Sequence, residues 1–168
     1  MGTGAGKGLN FGNSVGARRE QQNIALKDNH RIINESELIA ELEEKGIKFT
    51  KEDMLFITKD KTGQTVWLEK GNSGAGLTHI EQRHGQDFLI KQNIRKEDIV
   101  QHLRNVYTYG NVEYSRITTR NNIEGCEKLY CYKENYYILS GIGTNGFVVS
   151  AYPIDENVAR KLIKRYKK

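Results

Sequence analysis

"VEYSRITTRNNIEGCEKLYCYKENYYILSGIGTNGFVVSAYP", residues 112–153, decides the fold. It contains four segments with a side-chain period of two, "VEYSRITTR", "EKLYCYK", "NYYILSGI" and "GFVVSAYP". A period of two sends successive side chains to opposite faces of a strand. Turn-forming residues separate the segments at Asn121–Asn122, Glu134–Asn135 and Thr144–Asn145–Gly146. Loops this short can only join neighbouring antiparallel strands, so the stretch predicts a four-stranded antiparallel meander.

Upstream of the meander the period lengthens. "SELIAELEEK" reads as a helix that Asn34 or Ser36 can cap and Gly46 stops. "MLFITKD" and "QTVWLEK" flank Lys61–Thr62–Gly63 and read as a hairpin. "GNSGAG" at 71–76 breaks the chain before a helix over about 76–90, and "RKEDIVQHLRNV" is a further helix. "ENVARKLIKRYKK" closes the chain as an amphipathic helix. The fold class is α+β, with N-terminal helices packed on a C-terminal four-stranded antiparallel meander, an N-terminal hairpin and a closing helix. Residues 31–168 form one domain, and the Gly-, Asn- and Ser-rich residues 1–30 are a linker or junction. The "GTGAGKG" piece is not a phosphate loop, because Gly8 follows Lys7 and no buried strand precedes it.

Composition narrows the function. With 168 residues, 37% hydrophobic and 28% charged, the chain can bury one core. It has no apolar run of about 18 residues, hence no membrane span, and no apolar leader segment, which leaves export as part of a larger protein open. The net charge is +5 and the chain ends "RKLIKRYKK", a balance that favours a polyanionic partner such as RNA. Cys126 and Cys131 lie five apart on a strand and point to opposite faces, which favours reduced thiols over a bridge. Two cysteines do not complete a zinc site, and no other cofactor is implied.

"LTHIEQRHGQDF", residues 77–88, carries two of the four histidines. At about 100° per residue Leu77, Ile80, His84 and Phe88 share one face, with His79 and Arg83 on its flank. The histidines are at i and i+5, not the i and i+4 of a metalloprotease helix, so no metal is expected at this pair. Metal-free cleavage of a phosphodiester fits better. It needs a base for the ribose 2′-hydroxyl, an acid for the leaving 5′-oxygen and donors for the phosphorane. Histidine suits both proton roles and arginine suits the phosphate. The catalytic candidates are therefore His79, His84, Arg83 and Ser150. The substrate-binding candidates are Arg116, Thr118 and Arg120 on one strand face, with Thr144 and Tyr152. Simpler readings stand beside these: His84 as a core histidine, His79 as a solvated one, the tyrosines as sheet packing and the arginines as a solvated face. His30 and His102 have no supporting neighbours in the sequence and are left aside.

"VWLEKGNSGAGLTHIEQRHGQDF" followed by a sheet ending "GFVVSAYPID" resembles the barnase–EndoU–colicin–RelE (BECR) group of metal-independent RNases. The likeness is to members found as C-terminal domains of bacterial polymorphic toxins and in phage-associated proteins. It rests on Gly76, Leu77, His79, Ile80, His84, Asp87 and Phe88, and on Ser150, Ala151, Tyr152 and Pro153, over roughly residues 64–155. The resemblance implies a helix packed on a four-stranded antiparallel sheet and RNA bound across that sheet. It carries over His79, His84 and Ser150. No lysine stands at an EndoU-like position on the strands, so arginine takes the phosphate-ligand role. It further implies a toxin domain carried by a larger exported protein, delivered from outside to act in a target-cell cytoplasm. The implied partners are RNA, with tRNA or rRNA both open, and an acidic immunity protein. The alternative function is a non-catalytic basic RNA-binding or phage structural domain.

Overall fold

The computed structural model describes residues 33–142 and 145–167. The linker expected over 1–30, with His30, lies outside the described residues. Helix α1 (Glu35–Glu44) is capped by Asn34, whose side-chain oxygen accepts from the Glu37 amide at 3.3 Å, one of the donors a helix start leaves free. The strands β1 (Met54–Lys59) and β2 (Thr65–Glu69) form the antiparallel hairpin. Helices α2 (Leu77–Gln92) and α3 (Ile99–Tyr109) follow, then β3 (Asn111–Arg120), β4 (Ile123–Tyr132), β5 (Asn135–Ile142), β6 (Val148–Ile154) and helix α4 (Glu156–Tyr166). The sheet order is β3-β4-β5-β6 with every neighbouring pair antiparallel. The architecture is thus α+β with four helices and a four-stranded antiparallel meander, within a compact unit Asn34–Lys168.

Two details differ from the sequence reading. Helix α1, expected with the other N-terminal helices on the meander, packs on β1 of the hairpin. The second tight turn sits at Lys133–Glu134, not at Glu134–Asn135, with Tyr132 opposite Asn135. Both turn residues take positive φ, 51° and 67°, as Asn121 and Asn122 do at 52° and 64°. A two-residue hairpin loop demands this geometry. Lys and Glu adopt it at a cost because the register places Tyr130 opposite Tyr137 and Leu129 opposite Ile138, and all four are buried.

Alternation along the strands gives the sheet two working faces. On one, Tyr130, Tyr137, Leu139 and Ala151 join Ile80 and Phe88 of α2 and Ile99, Leu103 and Val106 of α3 in the main core. On the other, Tyr114, Leu129 and Ile138 pack against Ala159 of α4 in a second core. The hairpin joins the sheet edge where the Trp67 amide donates to the Gly146 carbonyl at 3.1 Å. Gly146 is required there: its φ is +94° and a Cβ would meet the Thr65 carbonyl oxygen at 1.9 Å.

A polar network also crosses between hairpin and sheet. Lys128, 4% exposed, places Nζ 2.6 Å from Oδ2 of Asp60, which is 0% exposed. Tyr130 donates to the same oxygen at 2.9 Å, and the Thr62 and Gln64 amides donate to the other at 2.9 and 3.1 Å. Burial opposes ionisation of Asp60, but bonds from Lys128, Thr62 and Tyr130 outweigh it and hold the carboxyl below its usual range.

His102, set aside in the sequence reading, is also built in. Its Nε2 lies 2.7 Å from the Tyr137 hydroxyl, which in turn bonds to Gln92. Burial, and then the charge of Lys133, push His102 down to about 4. Both cysteines are free thiols. No helix among the described residues is long and apolar enough to cross a membrane.

Three stability outcomes follow from these networks. Lys128→Met leaves the Asp60 carboxylate buried without its cation and should cost about 3–5 kcal/mol. Tyr130→Phe removes one bond to a charged group and should cost about 1.5–3 kcal/mol. Urea midpoints at constant slope read both, and a Lys128→Met variant within 1 kcal/mol of wild type would show that the pair is not what joins hairpin to sheet. For His102, the folded value lies below the unfolded 6.5, so the stability tied to its neutral form is complete above pH 6.5. It is lost as the pH falls towards about 4, where only the unfolded chain takes up the proton. At about 1.4 kcal/mol per pH unit this amounts to about 3 kcal/mol. His102→Gln should flatten that limb of the stability–pH curve, and an unchanged limb would remove His102 as its source.

Candidate functional site

Helix α2 is positioned at its first turn. Gly76 has φ +89°, and a Cβ there would lie 2.7 Å from the Glu69 carbonyl oxygen, so only glycine fits. Its amide donates to the Val149 carbonyl of β6 at 2.9 Å, and the Thr78 amide to Lys70 O at 3.0 Å. Ile80 and Phe88 enter the main core. His84, one turn from each on the same stripe, stays at the border with its side chain 22% exposed.

The two histidines meet although their spacing directs them about 140° apart around the helix. Their rings are 6.2 Å apart, edge to face. His79 Nδ1 is 3.0 Å from the Ser73 carbonyl oxygen. A carbonyl only accepts, so Nδ1 carries the hydrogen and Nε2 keeps the lone pair in the neutral ring. His84 Nδ1 is 3.3 Å from the Asp87 carboxylate, which selects the same tautomer. The His84 ring stacks on Tyr152 of β6 at 4.5 Å and 23°. Helix and edge strand are therefore joined at the site itself. Arg83 is exposed, and no contact among the described residues draws it to the two rings.

The strand candidates all fall on the face that α4 half covers. The cross-strand row runs Arg116, Glu127, Ser140, Ser150 through all four strands, about 14 Å at about 4.8 Å per strand. Tyr152 is two residues from Ser150 on β6, and Thr118 and Arg120 continue along β3 beside Gly125 and Ile123. Arg120 is exposed, Thr118 half-buried, and Thr144 lies outside the described residues. Ser150 is 8% exposed and its hydroxyl has no hydrogen-bond partner. Burial, and then the negative charge of Glu127, push the Tyr152 phenol up.

Glu127 is the residue that sequence reasoning missed. It accepts from Arg116 Nε at 3.1 Å and Nη2 at 3.3 Å, and from the Tyr114 hydroxyl at 2.6 Å. The signal was present in the turn. A two-residue loop at Asn121–Asn122 pairs Arg120 with Ile123, and stepping back by twos pairs Arg116 with Glu127. Arg116 was expected as a free phosphate ligand. Its fork is instead anchored to Glu127, which takes two of its five N–H donors and leaves three. Burial works against the Arg116 charge, but Glu127 more than offsets it and raises the guanidinium further.

The arrangement offers two imidazoles with fixed tautomers, an anchored guanidinium and a buried hydroxyl donor, the last two on one face of the sheet. Among the described residues no three His, Cys, Asp or Glu side chains converge on one point.

The orphaned hydroxyl has a measurable consequence. A buried polar group without a partner costs about 1–3 kcal/mol. Ser150→Ala should therefore melt no lower than wild type, and higher if its neighbours stay in place. A clear drop in melting temperature would mean that the hydroxyl is satisfied within the fold.

Neither a protein-family model nor a curated protein matches the chain.

Proposed function

We propose that the domain is a metal-independent ribonuclease of the BECR kind, serving as a bacterial toxin domain. The observation that carries the reading is the pair of histidines whose Nδ1 atoms are engaged and whose Nε2 atoms remain for proton transfer, with His84 stacked on Tyr152, two residues from Ser150 on β6. One imidazole Nε2 takes the proton of the 2′-hydroxyl as its oxygen attacks phosphorus. The other, protonated, gives its proton to the 5′-oxygen as the P–O5′ bond breaks. The products are a 2′,3′-cyclic phosphate and a free 5′-hydroxyl. Ser150 donates to a non-bridging oxygen, and the free donors of Arg116 offset the charge of the phosphorane. Arg120, Thr118 and Tyr152 line the path of the strand, and Arg83 contributes charge from the exposed side of α2.

The chemistry implies partners. RNA binds across the open half of the sheet, with its basic groups. A cell making such an enzyme needs an inhibitor, and a small acidic immunity protein would cover the same face. The domain would reach a target cytoplasm as part of a larger exported toxin.

Incubation of the purified domain with total RNA tests the reading. Cleavage should survive excess chelator and leave cyclic phosphate ends. His79→Ala and His84→Ala should each lose about 10²–10⁴-fold in rate while remaining folded. Cleavage that chelator abolishes and added metal restores would overturn the mechanism. RNA binding with no cleavage would leave a non-catalytic basic RNA-binding domain.

A further inference from the structure

The ribonuclease reading leaves Arg116 with a difficult task. It is a long side chain on the edge strand β3, 34% exposed, and such a side chain loses rotamer freedom when held still. The surroundings of Arg116 show how it is held. Glu127 grips Nε and Nη2 from the neighbouring strand. Glu127 is itself steadied by the Tyr114 hydroxyl at 2.6 Å. From α4, the ring centre of Tyr166 meets the guanidinium carbon at 4.1 Å, a distance at which a cation is attracted to the ring face. The Tyr166 and Tyr114 rings are 5.3 Å apart, so both contacts on the pair brace each other. Tyr166 is the last residue of α4. Leu162 and Ile163 pack that helix on the second core, and Lys167 pins its end to Glu113 at 3.0 Å.

Resting on the ribonuclease reading, we propose that Tyr114 and Tyr166 are positioning residues which, through Glu127 and by stacking, hold the Arg116 fork in one orientation towards the phosphate, so that the C-terminal helix governs turnover from outside the reacting atoms. Tyr114 acts through its hydroxyl and Tyr166 through its ring. That division makes the two roles separable from packing, because Tyr114→Phe keeps the buried ring and Tyr166→Phe keeps the stacking face. Orientation of a transition-state ligand affects kcat and kcat/KM together and leaves KM nearly alone.

Steady-state kinetics on one RNA substrate should separate the cases. Tyr166→Phe and Tyr166→Trp should retain the wild-type kcat. Tyr166→Leu and Tyr114→Phe should each lower kcat by about tenfold, the scale of one such contact, with KM changed by less than about threefold. The Arg116 Nε–H resonance should shift in both weakened variants and stay put in Tyr166→Phe. If wild type cleaves RNA but Tyr114→Phe keeps full kcat, or Tyr166→Phe loses as much as Tyr166→Leu, the inference is overturned and the ribonuclease reading stands. If Tyr166→Leu does not fold, Tyr166→Phe, Tyr166→Trp and Tyr114→Phe decide it by the same criteria. If wild type cleaves no RNA, the ribonuclease reading fails and takes this inference with it.

Discussion

One ammonium, Lys128 Nζ, ties the two hydrogen-bonded sheets of this fold together by reaching from β4 into the turn of the hairpin at Asp60. A buried ion pair is a poor source of net stability, since desolvation of both ions consumes most of the attraction. Its value lies in specifying the arrangement. Asp60 has backbone and hydroxyl donors from Thr62 and Gln64 as well as Lys128 and Tyr130, so both carboxylate oxygens are satisfied. Sliding β4 by one residue would bring Glu127 or Leu129 to face Asp60. The first is repelled and the second leaves the carboxylate without its cation. The pair therefore fixes the phase of β4.

That phase decides what stands on the other face. With Lys128 and Tyr130 directed at the hairpin, Glu127 and Leu129 must point to the opposite side. Leu129 helps seat α4 in the second core, while Glu127 meets Arg116 and Tyr114. One strand thus joins hairpin to sheet with alternate residues and builds the candidate site with the residues between. Helix α2 completes the site from the far edge, its start fixed on β6 by Gly76 and its His84 laid on Tyr152.

The elements and their order were legible because each depends on local information: period, caps and turn residues. Asn34 as a cap, Gly46 as a stop and Asn121–Asn122 as a tight turn act within a few residues. What escaped depends on long-range contact. His102 looked isolated because its partner Tyr137 is 35 residues away. The meeting of His79 with His84 depends on side-chain rotation, which helical angles do not report. The packing of α1 on the hairpin turns on which apolar face is nearest after collapse. The second turn was misplaced because Lys133 and Glu134 are poor turn formers, and only the tyrosine and leucine pairs across β4 and β5 compel them. Glu127 lies between these cases: local turn geometry plus strand register would have found it.

The candidate site is also where the fold departs from its own rules. Among the described residues two buried side-chain polar atoms lack partners, the hydroxyls of Tyr107 and Ser150. They differ in what surrounds them. Tyr107 is enclosed by the main core beside Phe56 and Tyr130, and burial alone accounts for the upward push on its phenol. No ligand could reach that oxygen without opening the core. Ser150 stands on the partly covered face, opposite Ser140 and two residues from the His84–Tyr152 stack. In the proposed ribonuclease a phosphate oxygen would be the partner that the fold does not supply. A protein that is locally consistent elsewhere gives up stability at such a group, and strained or unsatisfied positions of this kind gather where function is placed. By that difference Ser150, and not Tyr107, belongs to the site.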